Sequence, residues 1–84
     1  MNSNKQNLIN QIKYRSYYRG TKEMDIFVSS FVESIINELN YKDLVHLNNL
    51  INLNDEQIVD ISKGLLKIEI NEKIINLLVN FKKK

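Results

Sequence analysis

Residues 21–39 read TKEMDIFVSSFVESIINEL, and the spacing of their apolar positions decides the fold class. Met24, Phe27, Val28, Phe31, Ile35 and Leu39 recur at three- and four-residue intervals, with Val32 and Ile36 widening the stripe. That is the period of one buried helix face, not of a strand. Thr21 stands before the run as an N-cap acceptor, and Glu23 and Asp25 fall in the first turn, where unpaired backbone amides favour negative charge.

The same spacing continues on both sides. Upstream, a helix from about Lys5 to Tyr18 turns Leu8, Ile9, Ile12 and either Tyr14 or Ser16 inward, and Gly20 ends it. Downstream, Asn40 caps a third helix that carries Leu44, Leu47, Leu50 and Ile51 and ends near Leu53. Asn54 with Gln57 three residues on is a capping-box pattern, opening a short fourth helix through Ile58 and Ile61 that Gly64 closes. A fifth starts near Asn71 and runs through Ile74, Ile75, Leu77, Leu78 and Phe81, leaving Lys82, Lys83 and Lys84 at its negative end. Leu66, Ile68 and Ile70 alternate as in a strand, but a lone strand has no partner, so this segment is read as an extended connection packed on the bundle. The expectation is an all-α, five-helix bundle forming one domain over residues 1–84, with loose ends at 1–6 and 82–84. Phe27, Phe31, Ile35, Leu47, Ile51, Ile58, Leu77 and Leu78 form its expected core.

Composition narrows the function classes. A chain of 84 residues buries only roughly 60–65% of the surface its unfolded form exposes, which argues against a deep enzyme cleft. There is no cysteine and no proline, so helix packing must supply the stability. Twelve basic against ten acidic residues leave a net charge of +2, and three of the positives are the terminal lysines. No broad basic face for a phosphate backbone follows from this, so nucleic acid is not expected as a partner. Neither a leader-type segment nor a run of roughly 18 apolar residues is present, giving the expectation of a cytoplasmic chain without membrane insertion.

The candidate site lies at the break between the first two helices, Arg19-Gly20-Thr21-Lys22-Glu23-Met24-Asp25. Plain helix punctuation accounts for a glycine at one helix end and acids at the start of the next. A functional reading starts from accessibility, because polar groups at a helix corner remain open while apolar faces are consumed by packing. Gly20 lacks a Cβ, so a partner backbone can approach; the Arg19 fork can grip a carboxylate or carbonyl pair, and Glu23 can accept from a partner cation or amide. Tyr14, Tyr17 and Tyr18 sit beside them, and tyrosine and arginine are the types in which protein interfaces concentrate binding energy. From residue types alone, helix punctuation and docking both stay open, and a docking surface would use Arg19, Gly20, Glu23, Asp25, Lys22 and Tyr18.

This arrangement resembles the SdhE-type assembly factors, whose signature is Arg-Gly-x-x-Glu followed closely by an acid, here Arg19, Gly20, Glu23 and Asp25. The upstream Tyr-x-Ser of that family is matched by Tyr14 and Ser16, its second-helix Phe by Phe31, and its short acidic-then-apolar helix ending in glycine by Asp55 to Gly64. The similarity thus covers about residues 12–64. Two departures stand out: Ile61 occupies the place of a common tryptophan, and Tyr17-Tyr18-Arg19 replaces an arginine-rich approach to the glycine. The resemblance implies a five-helix factor that binds the flavoprotein subunit of succinate dehydrogenase and promotes covalent attachment of FAD to it. Fumarate reductase is a further candidate client. The covalent chemistry is then carried by flavin and partner; without a deep pocket or a nucleophile the chain itself is expected to be no enzyme and to hold no FAD tightly, and the bundle is expected to be monomeric when free.

Other sites are weaker. His46, the one histidine, lies between Val45 and Leu47 without a second His or a Cys for a metal, and reads as structural. Asp55, Glu56 and Asp60 read as a helix start and a solvated face. No phosphate-binding glycine loop and no nucleophile beside a base is present, so neither catalytic residues nor a metal site are assigned. The competing class is a small nucleic-acid-binding or regulatory module using Tyr17, Tyr18, Arg19 and Lys22, against which Glu23 and Asp25 in the same patch would repel phosphate. An isomerase-like enzyme with Glu23 as base lacks a second group.

Overall fold

Among the described residues, 3–83, the computed structural model holds five α-helices and no strand: α1 (Ser3–Tyr17), α2 (Lys22–Ile35), α3 (Tyr41–Ile51), α4 (Asp55–Ser62) and α5 (Glu72–Lys83). Each short connection is set by side chains that the sequence places for it. Thr21 Oγ1 accepts from the Met24 N–H at 3.2 Å, and Asn40 Oδ1 from the Asp43 N–H at 2.8 Å. Asn54 and Gln57 form the reciprocal box, with the Gln57 N–H donating to Asn54 Oδ1 at 2.8 Å and the Asn54 N–H to Gln57 Oε1 at 3.2 Å. Gly64 takes φ +77°, and the Leu65 N–H bonds the Asp60 carbonyl at 2.8 Å while the Gly64 N–H bonds that of Ile61 at 3.0 Å. Those paired bonds close a helix on a left-handed residue, which a side chain would disfavour.

Boundaries differ from expectation at several points. α1 begins at Ser3, ahead of Lys5, and Lys82 and Lys83 continue α5; residues 1, 2 and 84 of the expected loose ends lie outside the described residues. α2 stops at Ile35 and tightens into a 3-10 turn over Ile36–Glu38, short of Leu39. The tighter turn still buries Ile36 and Leu39, and it delivers Leu39 and Asn40 in the extended conformation that an N-cap needs.

The core gathers Ile12 from α1, Val28, Phe31 and Val32 from α2, Leu44, Leu47, Leu50 and Ile51 from α3, Ile58 and Ile61 from α4, and Ile74 and Leu78 from α5. Of the expected core, Phe27 and Leu77 are corrected to half-buried rim positions. Phe27 lies where α2 meets the end of α5, its ring 6.0 Å from that of Phe81 and capped by the Lys82 ammonium at 5.6 Å. On α1 the inward position falls to Ser16, whose buried hydroxyl donates to the Lys13 carbonyl at 2.8 Å, while Tyr14 is 68% exposed. The 65–70 segment is extended, and Leu66, Ile68 and Ile70 pack on the core as expected.

α1 lies against both α2 and α3, and α4 against α5. That packing sets the α1–α2 turn beside the α3–α4 turn, and the two corners make the site. Among the described residues no helix is long and apolar enough to cross a membrane.

Candidate functional site

Arg19 joins the two corners. From the α1–α2 turn its side chain reaches across to the α3–α4 turn, where Nη1 donates to the Ile51 carbonyl and Nη2 to that of Leu53 at 2.6 Å. Nε and Nη2 both donate to Asp55 Oδ1, at 3.1 and 3.0 Å. The carbonyls at the end of α3 lack intrahelical donors and carry partial negative charge, and the guanidinium supplies both the donors and the opposite sign. Asp55 opens α4, where a carboxylate is favoured by the amides of the first turn as well as by Arg19. The Arg19 side chain is only 9% exposed and Asp55 34%, so this pair is screened far less than a surface bridge.

The same residue is held through its backbone. The Arg19 N–H donates to Asp25 Oδ1, so the acid that follows the motif folds the corner onto the first turn of α2. Sequence reasoning offered the Arg19 fork and Asp25 to a partner; in the fold both are occupied internally. The bonds of the fork connect positions 32 to 36 residues apart, for which linear spacing gives no signal, whereas the Asp25 bond spans only six residues.

Gly20, Thr21, Lys22 and Glu23 are exposed, and Tyr18 is 70% exposed. Gly20 has φ +122°, and a Cβ built there would meet nothing within 4 Å. Backbone conformation therefore requires the glycine, and the space above it is open. Glu23 and Lys22 have no ion-pair partner among the described residues. The motif thus divides: Arg19 and Asp25 build the corner, while Gly20, Lys22, Glu23 and Tyr18 are presented on it.

Tyr14 and Tyr18 lie one helical turn apart with ring centroids 4.9 Å apart and planes tilted by 48°. Arg15 beside them donates through Nη1 to Asn48 Oδ1 at 3.2 Å and Asn52 Oδ1 at 3.0 Å, tying α1 to the end of α3. Arg15 was not among the expected contacts, although its place between two tyrosines ahead of the motif was the available cue. His46, read as structural, accepts the Asn71 N–H at Nδ1 (3.2 Å) and so helps start α5. Asp43 is buried beside it, bonded to the Lys73 ammonium at 2.9 Å and to Asn71 Nδ2 at 3.4 Å. Among the described residues no cluster of three or more His, Cys, Asp or Glu side chains is disposed to hold a metal.

A family model described as flavinator of succinate dehydrogenase matches residues 10–82. Neither a curated protein nor a solved structure matches the chain. The family match spans α2 through α4 whole, most of α1 and α5, and both corners joined by Arg19. On that extent of agreement, the chain belongs to the flavinator of succinate dehydrogenase family.

Proposed function

We propose that this chain binds the flavoprotein subunit of succinate dehydrogenase before the enzyme is assembled and promotes covalent attachment of FAD to that subunit. The observation that carries the reading is the fixed corner: Gly20 and Glu23 stand exposed on a turn that Arg19 and Asp25 hold from beneath. A surface held in one shape loses little freedom on docking, so more of the contact energy remains as affinity. Tyr18, Gly20, Lys22 and Glu23 form the contact, with Arg19 and Asp25 shaping it. The factor contributes orientation, holding the client in the arrangement in which its own groups and the flavin react, an effect that needs no catalytic group on this chain. The fumarate reductase flavoprotein is a candidate second client, and the free chain acts as a cytoplasmic monomer.

Glu23→Ala tests the contact. A first-turn acid contributes only about 0.3–1 kcal/mol to its helix, so the variant folds, yet covalent flavin on the client falls. In-gel flavin fluorescence of the flavoprotein subunit reads this, in cells lacking the native factor and complemented at matched protein level. Undiminished flavinylation by Glu23→Ala removes that residue from the contact, and full flavinylation without any factor removes the function.

The purified chain is expected to hold no FAD on its own. The cationic cleft between α1 and α3 presents no glycine-rich phosphate cradle. Equilibrium dialysis at low micromolar FAD is expected to find equal concentrations on both sides, and stoichiometric retention would make the chain a cofactor carrier instead.

A further inference from the structure

Beside the Gly20 corner, a cleft of about 320 Å³ opens between the end of α1 and the end of α3, walled by Tyr14, Arg15 and Tyr18 on one side and by Asn52 and Leu53 on the other. Its charge is unbalanced. Arg19 at its floor is neutralised by Asp55, but Arg15 has no ion-pair partner among the described residues. Two asparagine oxygens, from Asn48 and Asn52, orient the Arg15 guanidinium without carrying charge, and both bonds use Nη1. The Nε and Nη2 edge is left for a ligand, in a fork geometry that suits a carboxylate. Alongside it, the exposed tilted pair Tyr14 and Tyr18 presents aromatic area held in place by ring contact.

We infer that this cleft receives an acidic segment of the flavoprotein client, an Asp or Glu side chain pairing with Arg15 while a neighbouring apolar side chain packs on Tyr14 and Tyr18. The inference rests on the client named above and adds a second contact to it. Charge complementarity selects the occupant: a cationic fork without an ion-pair partner among the described residues, set among tyrosines, suits a carboxylate on a protein surface. Gly20 lies two residues after Tyr18, so one client surface can cover both contacts.

The test measures binding of the full chain to the purified flavoprotein subunit by biolayer interferometry, at low and at physiological salt, for the wild type, Arg15→Gln, Tyr14→Ala and Glu23→Ala. Arg15→Gln is expected to weaken binding about tenfold or more and to flatten its salt dependence; Tyr14→Ala is expected to weaken it at both salts alike. Tyr14 is 68% exposed, so its variant keeps the fold even where loss of the Arg15 bonds to Asn48 and Asn52 loosens α1. Loss of affinity by Glu23→Ala alone, with Arg15→Gln and Tyr14→Ala within twofold of wild type, overturns the cleft assignment and leaves the corner standing. Displacement of the client from the wild type by inorganic pyrophosphate at micromolar concentration also overturns it, by making the ligand a phosphate. No binding by the wild type at all sinks the assignment together with the function it rests on.

Discussion

Arg19→Ala is expected to lower the unfolding free energy by about 2–4 kcal/mol and to abolish most flavinylation of the client, the first effect causing the second. Truncation removes the donors to the Ile51 and Leu53 carbonyls and strands the Asp55 carboxylate, which is two-thirds covered. Leaving such groups unpaired is what makes the loss large, since an exposed ion pair contributes only about 0–1 kcal/mol. Arg19→Lys recovers little of it, because a single ammonium cannot reach two carbonyls and a carboxylate in a fixed fork. Urea denaturation gives the stability and in-gel flavin fluorescence the activity. Unchanged stability with lost flavinylation would contradict the internal role, meaning that Arg19 leaves its carbonyls and acts on the client directly.

The helices were legible because each rests on local chemistry. The three- and four-residue apolar spacing, Thr21, Asn40 and the Asn54–Gln57 box all act within a turn of themselves, and all reappear in the fold as read. Phe27 and Leu77 were misplaced because periodicity assigns a face but not its depth. Where α5 runs out beside α2, the same face that buries Phe31 leaves Phe27 on the rim against Phe81 and Lys82. The end of α2 was misjudged for a related reason: Ile36 and Leu39 continue the apolar pattern, and both are buried, but through a tighter turn that spacing alone does not distinguish.

The site was half legible. The corner itself followed from a glycine and opposite charges at a helix break, yet which of its side chains are bonded internally and which stay exposed depends on bonds between distant corners. Asp55 looked like an ordinary first-turn acid, and nothing near it in sequence indicated a guanidinium arriving from Arg19. Arg15 was passed over because its anchors, Asn48 and Asn52, belong to another helix. Asp43, Lys73, Asn71 and His46 form a comparable long-range group at the start of α5, of which only the structural character of His46 was foreseen.

Gly20→Arg is expected to remove flavinylation of the client altogether, and comparison with Gly20→Ala separates its two causes. At φ +122° any side chain strains the backbone, by about 1–3 kcal/mol, so both variants lose similar stability. A Cβ at this position meets nothing within 4 Å, so the free chain leaves room for the alanine methyl and for the first atom of the arginine side chain. The variants therefore differ only in what they place in the open space above the turn: a methyl group in one, a long cation in the other. If the client backbone approaches Gly20, the alanine variant retains part of the wild-type flavinylation at matched folded protein, whereas the arginine variant, which blocks the approach, retains none. Urea denaturation and in-gel flavin fluorescence on the two variants side by side decide the matter. Equal flavinylation by both, at equal stability, would mean that the glycine serves the turn alone and that the client contact lies on Glu23, Lys22 and Tyr18 without it.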